Sequence, residues 1–550
     1  MSSNSSKLET LKEWLSENEI WYDPEVLEIR EDGGQYSVWG KSGVPAGEKA
    51  CIIPKPAVLS TQTTGIANIL QDEEIGGGVA LTLSLLFEYS QGEDSPWHGY
   101  IQSLPKSEDL PILWSDEEVK LLEGTEIHES IGKEKIDLKD DYENLVMPIL
   151  EKYPTLFPKD IFTFENFLNA STVVASRAFQ VDDYHGDALL PLADLFNHKT
   201  ADENLHIETN ENVCEACGAF GPCEHDMYSD DEEDEEEEAP ELVKSSQAKA
   251  ENGSGDTKGE ESEEDEEGYE SDMDDDIIMS IVKPIEKNKQ VFNTYGEHPN
   301  VYLLSKYGFA EEHNPYDFVA VDLETVQLLC AKTVGNDVAS ERFDFYEEVG
   351  QELVMQFLPQ EDEDDEETPD DEEMADYEEI SGDEMDEEEE GEGEEEEEED
   401  DEDQGIYYQI QSDGTFDREL IYMLHVVCME APLFKKLSKD PSQAHQYIST
   451  LKDMLDQEEL GKKSKKRKSG KPAFSGNPLV WKLLKDLITY RAKCYTPVTT
   501  LEEDTTRLQK TGNVREKYAL IIRTSEKTIL EKACERYSRF LERSQAKSRK

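Results

Sequence analysis

Three short segments hold residues whose types suit group-transfer chemistry. They are Ala175-Ser176-Arg177-Ala178-Phe179, Asp194-Leu195-Phe196-Asn197-His198, and Val291-Phe292-Asn293-Thr294-Tyr295-Gly296-Glu297-His298-Pro299-Asn300 with Tyr307-Gly308-Phe309 behind it. Tyrosine and phenylalanine at close spacing can enclose and desolvate a reacting group. Asparagine and histidine can hold a polar ligand. Taken singly, each segment has a structural explanation: a turn with a satisfied histidine, or half-buried tyrosines closing a strand and a helix. A fourth group, Cys214, Cys217, Cys223 and His225, brings together three of the eight cysteines and could close a tetrahedral zinc site. Its Cys-x-x-Cys-Gly half suits a metal-binding turn, whereas its Cys-x-His half is tight. A reduced, metal-free loop is the alternative. The other five cysteines, Cys51, Cys330, Cys428, Cys494 and Cys534, sit among apolar residues and read as core.

These segments need a scaffold, and the 550-residue chain is long enough for two domains or one large one. Residues 7–20 carry Leu8, Leu11, Trp14, Leu15 and Ile20 at helical spacing. Between 25 and 60 the runs VLEI, YSVWG, ACIIP and VLS read as short strands. Helices are expected at about 78–91, 115–123, 139–153 and 161–178, and strands and turns return at 186–208 and 278–295. Helical patterns dominate from 299 onward. The strongest covers 513–543, with Val514, Tyr518, Ile521, Ile522, Ile529, Leu530, Ala533, Tyr537 and Leu541 on one face.

The net charge of -77 comes largely from two tracts. Residues 226–276 hold 25 acidic and 3 basic residues, and residues 361–403 hold 32 acidic and none basic. Such segments repel themselves and offer too little apolar area to offset ordering entropy, so both are expected to be disordered. The first lies between two β-rich stretches, which makes it an insertion within one sheet. Each tract could dock a basic partner or serve as a soluble spacer. The overall charge excludes a plain nucleic-acid binder, and no direct nucleic-acid partner is expected. Seven basic residues between Lys462 and Lys471 read as a nuclear-import signal or as a solvated loop. No apolar run is long enough for a membrane helix and the N-terminus lacks a signal-peptide core, so the expected setting is nucleus and cytoplasm, nucleus favoured, with no membrane partner.

The combination and order of these segments resemble the SET-domain protein-lysine methyltransferases. The narrower resemblance is to the class of Rubisco large-subunit methyltransferase, and within it to the fungal ribosomal-protein lysine methyltransferases. Asp194-x-x-Asn197-His198 and Tyr295-Gly296…Tyr307-Gly308-Phe309 carry it. Ser95-Pro96-Trp97-His98-Gly99-Tyr100, Leu104-Pro105, Leu110-Pro111…Trp114 and Pro45-Ala46-Gly47-Glu48 agree more weakly. The resemblance covers about 20–320 well and 405–545 loosely.

It implies an α+β protein: a β-rich SET fold with a pseudoknot and an inserted helical region, followed by a mostly α-helical C-terminal substrate-binding domain, with the two acidic insertions. The implied domains are an N-terminal helix (1–24), a SET domain (25–310) and a helical domain (311–545). The SET domain has a helical insert at about 61–180 and the acidic insertion at about 209–276. The helical domain contains the acidic insertion 361–403 and the basic loop 461–472. The implied cofactor is S-adenosyl-L-methionine, with one possible structural zinc. Tyr295 is the implied catalytic tyrosine at the methyl-transfer point. Asn197, His198, Ser176, Arg177, Trp97, Gly34, Tyr295 and Tyr307 are the implied cofactor contacts. Tyr307, Phe309 and Asp194 are the implied lining of the substrate-lysine channel. Gln35 departs from the family's Gly-x-Gly turn, and Gly34 takes that role in a shifted register. If the position requires φ > 0, glutamine suits it poorly.

The implied activity is methylation of a lysine in a large-subunit ribosomal protein by a monomeric enzyme. An acidic enzyme suits such a basic substrate, although histones would suit it equally. A translation factor is a further candidate. A non-catalytic acidic adaptor or chaperone on a SET scaffold is the alternative from another class.

Overall fold

The computed structural model describes residues 4–32, 35–210, 213–220, 223, 225, 275–358, 407–440, 442–459 and 476–548. Gly34, the basic loop and both acidic tracts lie outside the described residues, except for Asp275 and Asp276. The described chain forms two units. The first takes residues 1–114, 130–298 and 302–309; the second takes 115–129, 299–301 and 310–550. Residues 115–129, expected within the helical insert, fold with the second unit. The N-terminal helix folds with the first. Among the described residues no helix is long and apolar enough to cross a membrane.

The first unit is built on a six-stranded sheet. Its order is Trp21–Tyr22, Lys49–Pro54, Asp276–Ile281, Leu205–Glu208, Phe292–Asn293 and Asn197–His198. Leu205 lies opposite Ile281 and Glu208 opposite Ile278, so the first acidic tract joins two antiparallel neighbours in one sheet. Alternation explains the pairing: Ile277, Met279 and Ile281 face the core while their neighbours point away. Phe292–Asn293 runs parallel to both Asn197–His198 and Leu205, between them in the sheet. A late segment thus threads between earlier ones, the expected exception to unthreaded chains.

Separate hairpins pair Leu27–Asp32 with Gln35–Gly40, and Ala178–Gln180 with Asp187–Leu189. Gln35 lies in extended backbone opposite Asp32, a conformation open to any residue, so its backbone has no need of glycine. The VLS run does not form a strand. It follows a single 3-10 turn, Lys55–Ala57, and contributes one isolated bridge between Leu59 and Leu189. The helix Gly77–Gln91 buries Leu81, Leu83 and Leu85, and packs against Phe164–Arg177. Thr163 caps the latter helix through a side-chain bond from the Asn166 N–H.

A buried ion-pair cluster closes the root of the first insertion. Lys55 Nζ lies 2.7 Å from Asp182, 2.6 Å from Asp275 and 2.9 Å from the carbonyl of Asn210. One lysine therefore ties together the chain just before and just after residues 211–274. Burial works against the Asp182 carboxylate, but Lys55 and the backbone N–H of His185 outweigh it and hold it below the usual carboxylate range.

The second unit is mostly helical. Val514–Ser548 is its longest helix, with Ile521, Ile522, Ile529, Leu530, Ala533 and Tyr537 buried. Val514, expected on that face, is exposed because it opens the helix at its N-terminal end. Trp481 of Pro478–Arg491 stacks on Phe540 at 4.8 Å and on Tyr537 at 6.1 Å. A strand pair, Val319–Asp322 with Tyr407–Ile410, was hidden among the helical patterns and brackets the second acidic tract. Arg491, Glu126, Glu526 and Tyr495 form a polar cluster inside this unit. Cys51, Cys330 and Cys428 are buried, but Cys494 is exposed and Cys534 half-buried. Cys494 follows a helix end at which Tyr495 takes the inward position, which corrects its expected place in the core.

Candidate active site

The site begins with the strand pair Asn197–His198 and Phe292–Asn293, where Asn293 lies opposite His198. Just beyond it, the Tyr295 backbone N–H donates to His198 Nδ1 at 2.9 Å. Nδ1 is therefore the acceptor, and a neutral ring carries its proton on Nε2, which lies 2.9 Å from Thr200 Oγ1. The Tyr295 hydroxyl donates to the Phe196 carbonyl at 3.0 Å. The ring is thus held at both ends, by its own backbone and by its hydroxyl. Gly296 makes this turn possible: its φ is +107°, and a Cβ would lie 2.6 Å from His298 Nε2.

Aromatic rings surround Tyr295. His198 stacks on it at 5.1 Å, and Tyr307 lies at 4.5 Å. Phe309 sits 6.0 Å from His198 and 6.4 Å from Tyr307. Tyr302 touches both Tyr307 and His298, and also walls a cleft with Leu110, Ile112, Ala175 and Lys306. Tyr302 and Tyr307 share the helix Asn300–Tyr307, which turns both rings toward the cluster. Burial pushes the Tyr295 phenol well above its usual range, with the Arg177 charge opposing. Burial also pushes Tyr307 up to about 12. Both hydroxyls therefore stay protonated at neutral pH, so Tyr295 acts as a donor and not as a base.

A second network underlies these rings. Arg177 ends the helix Phe164–Arg177 and donates from Nε to Glu108 at 2.7 Å. Its Nη1 donates to the Asp194 carbonyl at 3.0 Å and to the Asp194 carboxylate at 3.1 Å. The Tyr100 hydroxyl donates to the same carboxylate oxygen at 3.2 Å. Burial pushes Asp194 upward, with Arg177 opposing. For Arg177, burial works against the charge, but Asp194 and Glu108 outweigh it and raise its affinity for the proton. The network fixes the turn 193–195 that leads into Phe196, Asn197 and His198.

The other expected site residues lie around this network. Asp194 is buried in the Arg177 ion pair, where Arg177 and Tyr100 both donate to one oxygen of its carboxylate. Trp97 is buried in the first unit's hydrophobic core. Asn197 is exposed and joins the site through its backbone pairing with Phe292. Ser176 is half-buried at the end of its helix, one residue before Arg177. Glu108, Tyr100, Tyr302 and the Phe196 carbonyl were missed. A carbonyl has no sequence signal, and Glu108 reaches Arg177 across 69 positions.

The threaded strand pair and the aromatic turn place the fold. Residues 394–530 match the Rubisco LSMT substrate-binding family. The solved SET domain of LSMT bound to lysine and AdoHcy superimposes with a TM-score of 0.57 at 16% identity, over 98% of this chain and 92% of that one. The chain has the SET fold seen in that structure. A second such SET structure, Rubisco LSMT bound to AdoMet, gives 0.56 at 15% identity, over 97% and 92%. Among curated relatives, ribosomal lysine N-methyltransferase 3 of Saccharomyces cerevisiae is 24% identical over 390 residues, 63% of this chain and 69% of that protein. N-lysine methyltransferase SETD6 of Bos taurus is 25% identical over 328 residues, 57% of this chain and 58% of that protein. The chain thus spans less than two thirds of SETD6.

This SET site also offers polar groups for a ligand. Both amide atoms of Asn293 are buried without a partner, as is one carboxylate oxygen of Asp194. Such groups normally find a partner. A polar cofactor beside the Asn197–His198 strand would supply one for Asn293, so the residues present fit S-adenosylmethionine.

Proposed function

We propose that the chain is an S-adenosyl-L-methionine-dependent protein-lysine N-methyltransferase, acting on a lysine of a large-subunit ribosomal protein. The observation that carries this reading is Tyr295, fixed at both ends inside the ring cluster of His198, Tyr307 and Phe309. The ribosomal substrate is supported by the yeast relative's name alone; the chain's net charge of -77 suits any basic target.

The cofactor, when bound, supplies an electrophilic methyl group. The Asn197–His198 strand, the Asn293 amide and the helix end at Ser176 would hold it. The chain's own part is positioning and exclusion of water. The rings of Tyr295, Tyr307 and Phe309 desolvate a lysine stem, which favours the neutral, nucleophilic amine. Tyr295 stays protonated and cannot accept the amine's proton, so that proton leaves to water before transfer. The Phe196 carbonyl, already paired with the Tyr295 hydroxyl, keeps that ring in one orientation. Arg177 and Asp194 act one layer behind, by holding the turn from which Phe196 and His198 project.

The test uses the purified full chain with labelled cofactor and three substrate pools: large-subunit ribosomal proteins, translation factors and histones. Label should enter one basic ribosomal protein. Tyr295→Phe should lower the rate by about 10²-fold, the loss typical of a reacting geometry no longer held in place. It should also remain folded, since the lost hydroxyl bond is worth only about 1–2 kcal/mol. Near-normal turnover in that variant would sink the role given to Tyr295. Label in histones or factors alone would overturn the ribosomal substrate, and cofactor binding without transfer to any pool would favour the adaptor.

A further inference from the structure

Outside the active site, the described residues bring one set of metal-binding side chains together. The ligand atoms of Cys214, Cys217, Cys223 and His225 all lie within 4.8 Å of one another. We propose that these four residues bind one structural Zn²⁺ at the root of the first insertion.

Geometry supports the metal. His225 Nδ1 lies 3.5 Å from Cys214 Sγ and 3.6 Å from Cys223 Sγ. Zinc bonds of about 2.3 Å to sulfur and 2.0–2.1 Å to nitrogen, at a tetrahedral angle, give a sulfur-to-nitrogen edge of roughly 3.6 Å. The two sulfur-to-nitrogen distances are those of a coordination tetrahedron. The backbone prepares one half of it. The Gly218 N–H donates to the Cys214 carbonyl at 2.7 Å and the Cys217 N–H donates to the same oxygen at 3.2 Å, while the Cys214 N–H donates to Ala219 at 3.1 Å. This turn aims two sulfurs the same way. It requires glycine at 218, where φ is +69° and a Cβ would lie 2.6 Å from the Tyr184 ring.

The tight Cys-x-His half, which looked unfavourable in the sequence, closes because Nδ1, the ring nitrogen nearer the backbone, faces the sulfurs. Three thiolates and one imidazole select zinc over hard cations such as Mg²⁺ or Ca²⁺. All four positions are filled by protein, so the site has no room for a substrate and is structural. Binding releases the three thiol protons to solvent and leaves a neutral histidine on the metal.

The location gives the site a task. Tyr184, which packs on Gly218, lies edge-to-face with His185 at 4.9 Å, and His185 holds Asp182 at 2.9 Å. Asp182 in turn pairs with Lys55, the residue that ties Asn210 to Asp275. The cluster therefore sits on the clamp through which the insertion leaves and re-enters the sheet. A metal there fixes the start of the insertion to the folded unit, independently of the catalytic reading.

The test is metal analysis of the full chain purified without chelator, with thiol titration beside it. One equivalent of zinc per chain is expected, with three thiols that react only after a chelator is added. Cys214→Ser with Cys217→Ser should lose the zinc, whereas Cys494→Ser, at an exposed cysteine of the other unit, should keep it. Cobalt should replace zinc and give the visible bands of tetrahedral thiolate coordination. A folded, metal-free preparation whose three thiols react at once would overturn the proposal, as would full zinc content in the double variant.

Discussion

Replacing Arg177 by methionine should unfold the first unit more easily, and by an amount that depends on pH. The guanidinium satisfies two carboxylates, Glu108 at 2.7 Å and Asp194 at 3.1 Å, both of them buried. Methionine keeps much of the volume and removes the charge. Removing one partner of a buried ion pair costs about 3–5 kcal/mol, because an uncompensated charge is left behind. The remaining fold escapes part of that cost by keeping a proton on one carboxyl.

The sign follows from where that proton sits. Unfolded Asp and Glu titrate near about 4. In the variant's folded state the retained proton stays on well above that value. Below about pH 4 both states are protonated and the deficit is small. As pH rises the unfolded chain ionises while the fold does not, and stability falls by about 1.4 kcal/mol per pH unit. Between about pH 4 and 7.5 this amounts to about 4–5 kcal/mol, consistent with the ion-pair figure. Urea unfolding of variant and parent, followed at pH 5 and 7.5, reads both quantities. A deficit of about 1–2 kcal/mol at pH 5, growing to about 3–5 kcal/mol at pH 7.5, is expected. A deficit below about 1 kcal/mol at pH 7.5, or one that does not change with pH, would refute the reasoning.

Lys55→Met should cost about 3 kcal/mol by leaving Asp182 buried without its ammonium, and adding Asp182→Asn should recover much of the loss; additive losses in a double-mutant cycle would count against the clamp. In the second unit, burial pushes Glu526 up to about 8, with Arg491 opposing. Its folded affinity for a proton exceeds the unfolded one, so its contribution to stability is present below about pH 4.3 and is lost as pH rises toward 8. Glu526→Gln should flatten that dependence in urea unfolding between pH 5.5 and 8, and an unchanged slope would show that Glu526 does not carry the proton.

Much of the site was legible because its residues are dense in the sequence. Asn197-His198 and Tyr295-Gly296 are short runs, and Tyr307-Gly308-Phe309 follows within a dozen positions. Local chemistry also marked Gly218 as a turn glycine and the acidic tract as an insertion in one sheet, and the pairing of Leu205–Glu208 with Asp276–Ile281 agrees. The partners of Asp194 were not legible: only the folded positions of Arg177 and Tyr100 bring two donors to its carboxylate.

By itself the sequence determined which groups exist: the aromatic turn, the asparagine–histidine pair, the four metal-binding side chains and the two acidic tracts. It also determined many local conformations, because helix and strand periodicities and turn glycines act over a few residues, but not the strand pair Val319–Asp322 with Tyr407–Ile410. The tertiary structure decided the partners. Glu108 meets Arg177 across 69 positions, Tyr295 meets His198 across 97, and Lys55 meets Asn210 across 155. Such contacts depend on strand register and on the threading of Phe292–Asn293 beside Asn197–His198, which no local propensity encodes.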